Sequence, residues 1–208
     1  MAVHFSGANS QRLDTISSFN PPSTGTVMFW KKSESGALRI IGTDSSWEAR
    51  ISGSNMLHEL RQSGVPTVNN TDGVIQHWAF GYDGTNKFVY VDGVEVYRAS
   101  DAHGTGGSSI LSIGASYWNT GEEYKGWLED VRIYNRYLSD SEIKTIHATQ
   151  GVDGIVDSLI HRWPLTEGAP GTIVTQARDI IGGLHANPMG GTSSNYVTGI
   201  IRTRRKLS

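Results

Sequence analysis

Residues 117–124 bring together side chains that could bind a sugar. Aromatic faces stack on the C–H surfaces of sugar rings, while amide and carboxylate groups exchange hydrogen bonds with hydroxyls. The candidate glycan-binding residues of this segment are Tyr117, Trp118, Asn119, Glu122 and Tyr124. Trp47, which follows Asp44-Ser45-Ser46, is a second candidate in an exposed loop. The alternative is that these aromatic side chains close one end of the domain or an oligomer contact, since interfaces are also rich in aromatic residues.

The acidic residues form no recognisable catalytic pair. Retaining glycosidases need two carboxyl groups about 5–5.5 Å apart. Glu129 and Asp130 are adjacent, and neighbouring residues of a strand point to opposite faces. No His-Glu-x-x-His zinc pattern, Gly-x-Ser-x-Gly elbow or phosphate-binding loop occurs in the sequence. The sequence therefore predicts a protein that is not an enzyme.

Positive charge is concentrated in a basic segment near residue 208, formed by Arg202, Arg204, Arg205 and Lys206. The chain has a formal net charge of −2, from 18 Lys and Arg against 20 Asp and Glu, so the rest of the chain is acidic. We expect residues 201–208 to form a tail that docks on an acidic surface of the same or another subunit. The alternative is a solvated tail. Nucleic acid is disfavoured as a partner, because four charges on an acidic body make a small electrostatic footprint.

Composition restricts the class of protein. The chain contains no Cys, which excludes disulfides and Cys-ligated metal centres. No window approaches the roughly 20 apolar residues of a membrane helix, so membrane insertion is not expected. The opening residues, Met1-Ala2-Val3-His4-Phe5, lack the basic and apolar regions of a secretory signal. This pattern suits a protein assembled in a host cytoplasm, as virion components are, so we expect a virion surface as its location; the alternative location is extracellular.

Short strands joined by tight turns must position these residues. Asp92-Gly93 separates two β-branched runs and predicts a two-residue type I′ hairpin, in which Val91 faces Val94 and Val89 faces Val96. Ser139 and Glu142 have the spacing of a capping box, which predicts one short helix that ends near Gly151. The many glycines, 25 in all, fit an all-β domain with numerous turns.

Five short segments of the sequence carry a family resemblance. They are His77-Trp78-Ala79-Phe80-Gly81-Tyr82-Asp83-Gly84-Thr85, Tyr90-Val91-Asp92-Gly93-Val94, Leu111-Ser112-Ile113-Gly114, Gly126-Trp127-Leu128-Glu129-Asp130-Val131-Arg132-Ile133-Tyr134-Asn135-Arg136 and Leu138-Ser139-Asp140-Ser141-Glu142-Ile143. In this order they resemble the laminin-G-like jelly roll of the concanavalin A-like lectin/glucanase superfamily, of the kind found in phage virion proteins. The resemblance implies a β-sandwich of two antiparallel sheets with one short helix.

Both ends of the chain suggest a rearranged jelly roll. Members of the family commonly open with a strand similar to Arg162-Trp163-Pro164-Leu165-Thr166-Glu167-Gly168, which comes late in this chain. We therefore predict a single domain over residues 1–200, in which residues 159–200 supply circularly permuted strands and Leu159–Leu165 pairs with N-terminal strands. The alternative is a C-terminal extension that only mimics the motif.

The resemblance also bears on calcium and on function. Calcium is common in proteins that resemble this one, and Asp44, Asp72 and Asp83 are weak candidate ligands in polar loops. No other cofactor is expected. The sequence predicts a non-catalytic structural or binding protein, a capsid decoration or fibre protein on a phage virion, whose partners are other virion subunits, further copies of itself or host-surface glycans. The alternatives are a free-standing carbohydrate-binding or adhesion module and, more remotely, a glycoside hydrolase.

Overall fold

Strands dominate the computed structural model, which describes residues 1–8, 10–43, 47–52, 55–60, 68–100, 107–115, 117, 121–190, 195–197 and 199–200. The elements are β1 (Ala2–Ser6), β2 (Arg12–Phe19), β3 (Gly25–Ser33), β4 (Arg39–Gly42), β5 (Trp47–Ser52), β6 (Asn55–Leu60), β7 (Val68–Asn69), β8 (Ile75–Tyr82), β9 (Asn86–Val91), β10 (Val94–Ser100), β11 (Ser109–Ile113), β12 (Lys125–Tyr134), α1 (Asp140–Ala148), β13 (Leu159–Trp163), β14 (Ala186–Met189) and β15 (Asn195–Val197). The predicted all-β domain with one short helix is confirmed.

Two antiparallel sheets pack face to face. Sheet A has the order β10-β9-β8-β3-β12-β1-β15, and β13 joins it beside β12. Sheet B has the order β14-β2-β11-β4-β5-β6-β7. The core between them contains Phe29 and Phe80 from sheet A and Leu13, Ile41 and Ile113 from sheet B, all nearly inaccessible to solvent. Helix α1 covers the opposite face of sheet A. This is the predicted jelly-roll sandwich.

The predicted hairpin is present, but one of the two predicted residue pairs is wrong. Asp92 and Gly93 both have positive φ angles, 51° and 79°, as a type I′ turn requires. Val91 pairs with Val94 as expected, whereas Val89 pairs with Tyr97. A β-bulge between Glu95 and Tyr97 adds one residue to β10, and this insertion shifts the pairing. The hairpin lies at the edge of sheet A, where its exposed valines include Val94.

Helix α1 begins with the predicted capping box. Ser139 Oγ accepts a hydrogen bond from the Glu142 amide, and the Ser139 amide donates to Glu142 Oε2 at 2.9 Å. Ile143 and Ile146 are buried against the outer face of sheet A. Gly151 follows the helix with a φ of +76°, in the left-handed region that suits glycine. None of the helices within the described ranges has the length and hydropathy to span a bilayer.

Strand β12 organises the ends of the chain. Its first half, Lys125 to Leu128, pairs with β1, and its second half, from Val131, pairs with β13 along the same edge. The prediction that Leu159–Leu165 pairs with N-terminal strands is therefore wrong, because β13 pairs with β12. The ten residues of β12 are enough to pair with both β1 and β13 along one edge. Strands β14 and β15 do pair with β2 and β1. Circular permutation itself stays a prediction.

One buried carboxylate holds the loop that follows β13. Asp179 is 3% exposed and accepts hydrogen bonds from the His161 ring and from four backbone amides. These amides belong to Arg162, Ile181, Gly182 and Leu184, at donor–acceptor distances of 2.9, 3.0, 3.2 and 2.9 Å. The loop in turn positions the Leu184 carbonyl, which accepts from the Trp163 indole at 2.9 Å. Asp179 thus ties residues 179–184 to sheet A.

A lysine is buried among the aromatic residues of the core. Lys31 of β3 has no solvent exposure, and its ammonium group lies 5.7 Å from the centre of the Trp78 ring and donates to Asn70 Oδ1. Burial lowers the pKa of Lys31 from 10.5 to about 8, although the negative charges of Asp72 and Asp92 oppose this change. The fold therefore carries the cost of a largely desolvated charge at neutral pH.

Candidate functional site

The outer face of sheet B carries a row of polar side chains across neighbouring strands. Leu13, Ile113, Ile41 and Ala49 pair with one another across β2, β11, β4 and β5 and point into the core. Because side chains alternate along a strand, the next row must point away from the core. That row consists of Asn187, Asp14, Ser112, Gly42 and Glu48, as the pairing register shows. We call it the polar row. The backbone pairing continues from Glu48 to Glu59 of β6.

Asp14 is fixed near one end of the polar row. Its Oδ1 lies 2.8 Å from Arg12 Nε and accepts a 2.6 Å hydrogen bond from Ser112 Oγ. Asp14 is only 7% exposed, so this charge is held by its neighbours and not by water. A charged hydrogen bond of this kind is worth about 1.5–3 kcal/mol and fixes the carboxylate in one orientation.

A second charged group lies at the other side of the polar row. Arg39 donates to Glu48 and also contacts Glu122 Oε2 at 2.5 Å, while Arg50 Nε lies 3.4 Å from Glu48 Oε1. Arg39 and Glu48 are nearly inaccessible, whereas the Glu122 side chain is 41% exposed. Glu122, a predicted site residue, is therefore joined through Arg39 to the outer face of sheet B.

Gly42 lies in the middle of the polar row, where Glu48 packs closely against its backbone. A Cβ at this position would lie 2.7 Å from the Glu48 Cβ, closer than real Cβ atoms approach. Glycine is therefore required there, and its backbone is left without a side chain between Ser112 and Glu48. A glycine within a strand commonly marks a place where another group approaches the backbone closely.

Among the predicted aromatic residues that the structure describes, Tyr117 is accessible to solvent. It is 44% exposed, and the Arg12 guanidinium carbon lies 6.0 Å from its ring centre, so it borders the polar row. Trp118 and Asn119 lie outside the described residues. Tyr124 was predicted to bind glycan, and this is wrong because its ring is fully buried in the core, 6.2 Å from the ring centre of Phe5. The alternative, an aromatic side chain that closes the sandwich, holds for Tyr124.

Trp47 is not an exposed loop residue. It is the first residue of β5 and is 3% exposed, with its ring centre 5.2 Å from that of Phe19. Trp47 and Ala49 share one face of β5, which is the face directed into the core. The prediction of a second binding aromatic at this position is therefore wrong.

Of the weak calcium candidates, Asp72 and Asp83 each make local hydrogen bonds. Asp44 lies outside the described residues. Asp72 accepts from Asn70 Nδ2 at 2.9 Å, and Asp83 accepts from the Asn86 amide at 2.7 Å, as a turn residue does. Over the ranges that the structure describes, no three His, Asp or Glu side chains form a group that could hold a metal ion. The basic segment, which contains Arg202, Arg204, Arg205 and Lys206, also lies outside the described residues.

The sequence analysis did not identify most residues of the polar row. Asp14, Ser112 and Glu48 lie far apart in the chain, and no motif contains all three. A local signal exists in Glu48-Ala49-Arg50-Ile51, where charged and apolar residues alternate as in a strand with one solvent-facing side. The alternation predicts a polar face, but it does not show which strands share that face.

Solved structures with the same fold include three informative examples, all at low sequence identity. A candidate carbohydrate-binding protein from Bacteroides ovatus is 16% identical with a TM-score of 0.70, over 96% of this chain and 61% of its own. The heptameric SAP-like pentraxin of Limulus polyphemus is 14% identical with a TM-score of 0.59, over 73% and 83% of the two chains. This chain thus spans about three fifths of the length of the Bacteroides protein. These likenesses show the fold.

A third structure is domain 4 of AbnA, an extracellular arabinanase of Geobacillus stearothermophilus, in complex with arabinotriose. It is 21% identical with a TM-score of 0.52, over 70% of this chain and 76% of that one. No curated protein sequence matches the chain. The family model described as the concanavalin A-like lectin/glucanases superfamily matches residues 5–144, which is more than half of the chain. The chain therefore belongs to the concanavalin A-like lectin/glucanase superfamily.

Proposed function

We propose that this protein is a non-catalytic carbohydrate-binding domain whose binding surface is the polar row of sheet B together with Tyr117. The observation that carries the proposal is the polar row itself. It combines carboxylate, hydroxyl and guanidinium groups on the outer face of a lectin-like sheet. Asp14, Ser112 and Glu48 are nearly inaccessible, so a ligand would reach the row from its exposed border, at Tyr117 and Asn187. The fold of a domain in complex with arabinotriose is the same, which supports an oligosaccharide as the class of ligand.

The chemistry of the polar row suits a sugar. Sugar hydroxyls both donate and accept hydrogen bonds, so they can meet the Asp14 carboxylate and the Arg12 guanidinium at one site. Ion pairs already hold these side chains, so little conformational entropy is lost when a ligand binds. The Tyr117 ring, at the border, offers an apolar face for the C–H side of a sugar ring.

Spacing in the polar row argues against a hydrolytic pair formed by its two best-defined acids. Asp14 and Glu48 are separated by β11 and β4, hence by three inter-strand steps of about 4.8 Å, or roughly 14 Å between backbones. Glycosidases place their two carboxyl groups about 5–9.5 Å apart. Glu48 is, however, the strand neighbour of Glu59 in the register of β5 and β6. Because a glycosidase needs two acidic residues near each other, hydrolysis is measured in the same experiment as binding.

The first test replaces Tyr117 with alanine. We expect about tenfold weaker binding to the oligosaccharide that binds best on a glycan array, because the stacking contribution of one aromatic ring is lost. Binding is measured by isothermal titration calorimetry, and released reducing sugar is assayed in parallel. Tyr97→Ala, on the edge strand of the other sheet, is the control and should bind as the wild type does.

Three outcomes would count against this function. The first is no binding to any oligosaccharide at millimolar concentration. The second is an equal loss of affinity in the Tyr117 and Tyr97 variants. The third is release of reducing sugar by the wild type that disappears in Glu48→Gln, which would make the protein a glycoside hydrolase.

We also propose that the basic segment serves assembly on a virion surface. Its four positive charges stand against an acidic remainder, and this imbalance favours docking on a neighbouring subunit. Replacement of Arg202, Arg204, Arg205 and Lys206 with glutamine should abolish a salt-sensitive oligomer while the melting temperature is kept. Light scattering at low and high salt measures the mass, and an unchanged mass would reject the assembly role.

A further inference from the structure

A separate cavity lies in the C-terminal part of the chain, beyond the residues that match the family model. Its volume is about 530 Å³, within the range of small-molecule sites. It is lined mainly by polar side chains, among them Glu167, Thr172, Thr175, Gln176, Arg178 and Tyr196. We call it the C-terminal cavity. A polar lining of this kind suits a ligand rich in hydroxyl groups.

The walls of the C-terminal cavity are held by the backbone. The Tyr196 amide donates to the Thr172 carbonyl at 2.9 Å, and the Gly171 amide donates to the Tyr196 carbonyl at 2.7 Å. Gly168 is necessary for this packing, since a Cβ there would lie 2.1 Å from Tyr196 Cδ2. The wall is therefore formed before any ligand arrives, which lowers the entropic cost of binding.

Glu167 is fixed as a hydrogen-bond acceptor in this wall. Its Oε1 accepts from the Arg178 amide at 2.9 Å, and its Oε2 accepts from the Tyr196 hydroxyl at 3.3 Å. Burial raises the pKa of Tyr196, and the nearby charge of Glu167 raises it further, so the phenol stays protonated and can donate. Each carboxylate oxygen of Glu167 retains a second lone pair that a ligand hydroxyl can use.

Arg178 supplies the positive charge of the C-terminal cavity. Its side chain is exposed and lines the cavity, while its backbone is fixed by Glu167. Within the described ranges no carboxylate forms an ion pair with its guanidinium group. A planar guanidinium binds a carboxylate through two parallel hydrogen bonds, which makes it the side chain best suited to that anion.

We propose that the C-terminal cavity binds an acidic sugar residue, a uronic acid. The sugar carboxylate pairs with Arg178, and the ring hydroxyls bond to Glu167, Gln176 and Thr172. This inference rests on the proposed carbohydrate-binding function and adds a second, charge-selective subsite, distinct from the polar row of sheet B.

The test compares two probes that differ in one group. Methyl β-D-glucuronide carries a carboxylate where methyl β-D-glucoside carries a hydroxymethyl group. Each is titrated into ¹⁵N-labelled full-length protein and followed by NMR. We expect the glucuronide to bind at least tenfold more tightly, to shift the amides of Gly168, Thr172 and Gln176, and to bind more weakly at high salt.

Two matched variants test whether Arg178 is the source of the charge selectivity. Arg178→Gln should lower glucuronide affinity at least tenfold, to the level of the glucoside, while Lys144→Gln removes an exposed positive charge from helix α1 and should leave the affinity unchanged. Tyr117→Ala should also leave glucuronide binding unchanged. The amide spectrum of each variant reports whether its fold is kept.

Three results would overturn this inference. Equal affinity for the two sugars, or an Arg178→Gln variant that binds the glucuronide as the wild type does, would show that the cavity has no charge selectivity. If the glucuronide instead shifts the amides of Asp14 and Ser112, the acidic sugar binds on sheet B, so this inference fails while the proposed function stands.

Discussion

Replacement of Asp179 with alanine should lower the free energy of unfolding by about 4 kcal/mol. The variant loses five hydrogen bonds to one buried carboxylate, and it leaves backbone donors in the loop of residues 179–184 without their acceptor. The loop also holds the carbonyl that binds Trp163, so we expect the tryptophan to become more accessible. Urea unfolding followed by tryptophan fluorescence measures the change in stability.

Asp157→Ala is the control for this prediction. The Asp157 side chain is 82% exposed and pairs with Arg136 at the surface, so its loss should change stability by less than about 1 kcal/mol. Equal effects of the two substitutions would reject the role that we assign to Asp179.

The stabilising effect of Asp179 should depend on pH. Burial alone would raise the pKa of Asp179, but the hydrogen bonds from His161 and from the backbone amides lower it well below its ordinary value of 3.8. The folded protein therefore binds fewer protons at this site than the unfolded chain does. The stability that Asp179 contributes is fully present above about pH 5 and is lost as the pH falls through 3.8 and below. In Asp179→Ala this part of the acid sensitivity should be absent.

Lys31→Met should stabilise the protein at pH 7 by about 3 kcal/mol. A pKa lowered from 10.5 to about 8 corresponds to that free energy, at about 1.4 kcal/mol per pH unit. Methionine has a similar length and can fill the same space without a charge. Urea unfolding at pH 7 measures the gain. If the variant is instead destabilised, the contacts of Lys31 with Asn70 and Trp78 outweigh the cost of burying its charge.

The gain from Lys31→Met should disappear at high pH. Between pH 8 and pH 10.5 the unfolded chain still binds the proton on Lys31 while the folded protein has released it, so wild-type stability rises with pH in this window. The variant lacks that rise, and the two proteins should be almost equally stable near pH 10.5. Lys32→Met is the control, because this neighbouring lysine is only partly buried and its ammonium group lies 4.9 Å from the centre of the Trp127 ring.

Local chemistry made the turns and the helix predictable from sequence. Asp92-Gly93 supplies two residues that tolerate positive φ, and Ser139 with Glu142 satisfies the first amides of a helix, so each element depends on neighbours in the chain. The Val89 pairing was predicted wrongly because a bulge adds one residue to β10 without a Gly or Pro to mark it. A single inserted residue is enough to change every later pair.

The candidate site was less predictable, because aromatic residues near polar ones fit both a binding loop and a core. Tyr124 and Trp47 are of the residue type that binds sugars, yet both side chains are directed between the sheets. Their direction depends on which residue of each strand pairs with its neighbour, and that register is a long-range property. For the same reason Asp14, Ser112 and Glu48 become neighbours on one face only after β2, β11, β4 and β5 have assembled.

The pairing of strand β1 has a consequence for the order in which the chain folds. Val3 pairs with Leu128 on one side and with Tyr196 on the other, so β1 is synthesised long before either of its neighbours. Contacts so distant in sequence make folding slow, because a large loop must close before they stabilise the chain. Until residues 195–197 have been synthesised, at least one edge of β1 has no partner strand, and an unpaired edge is a place where chains can associate wrongly.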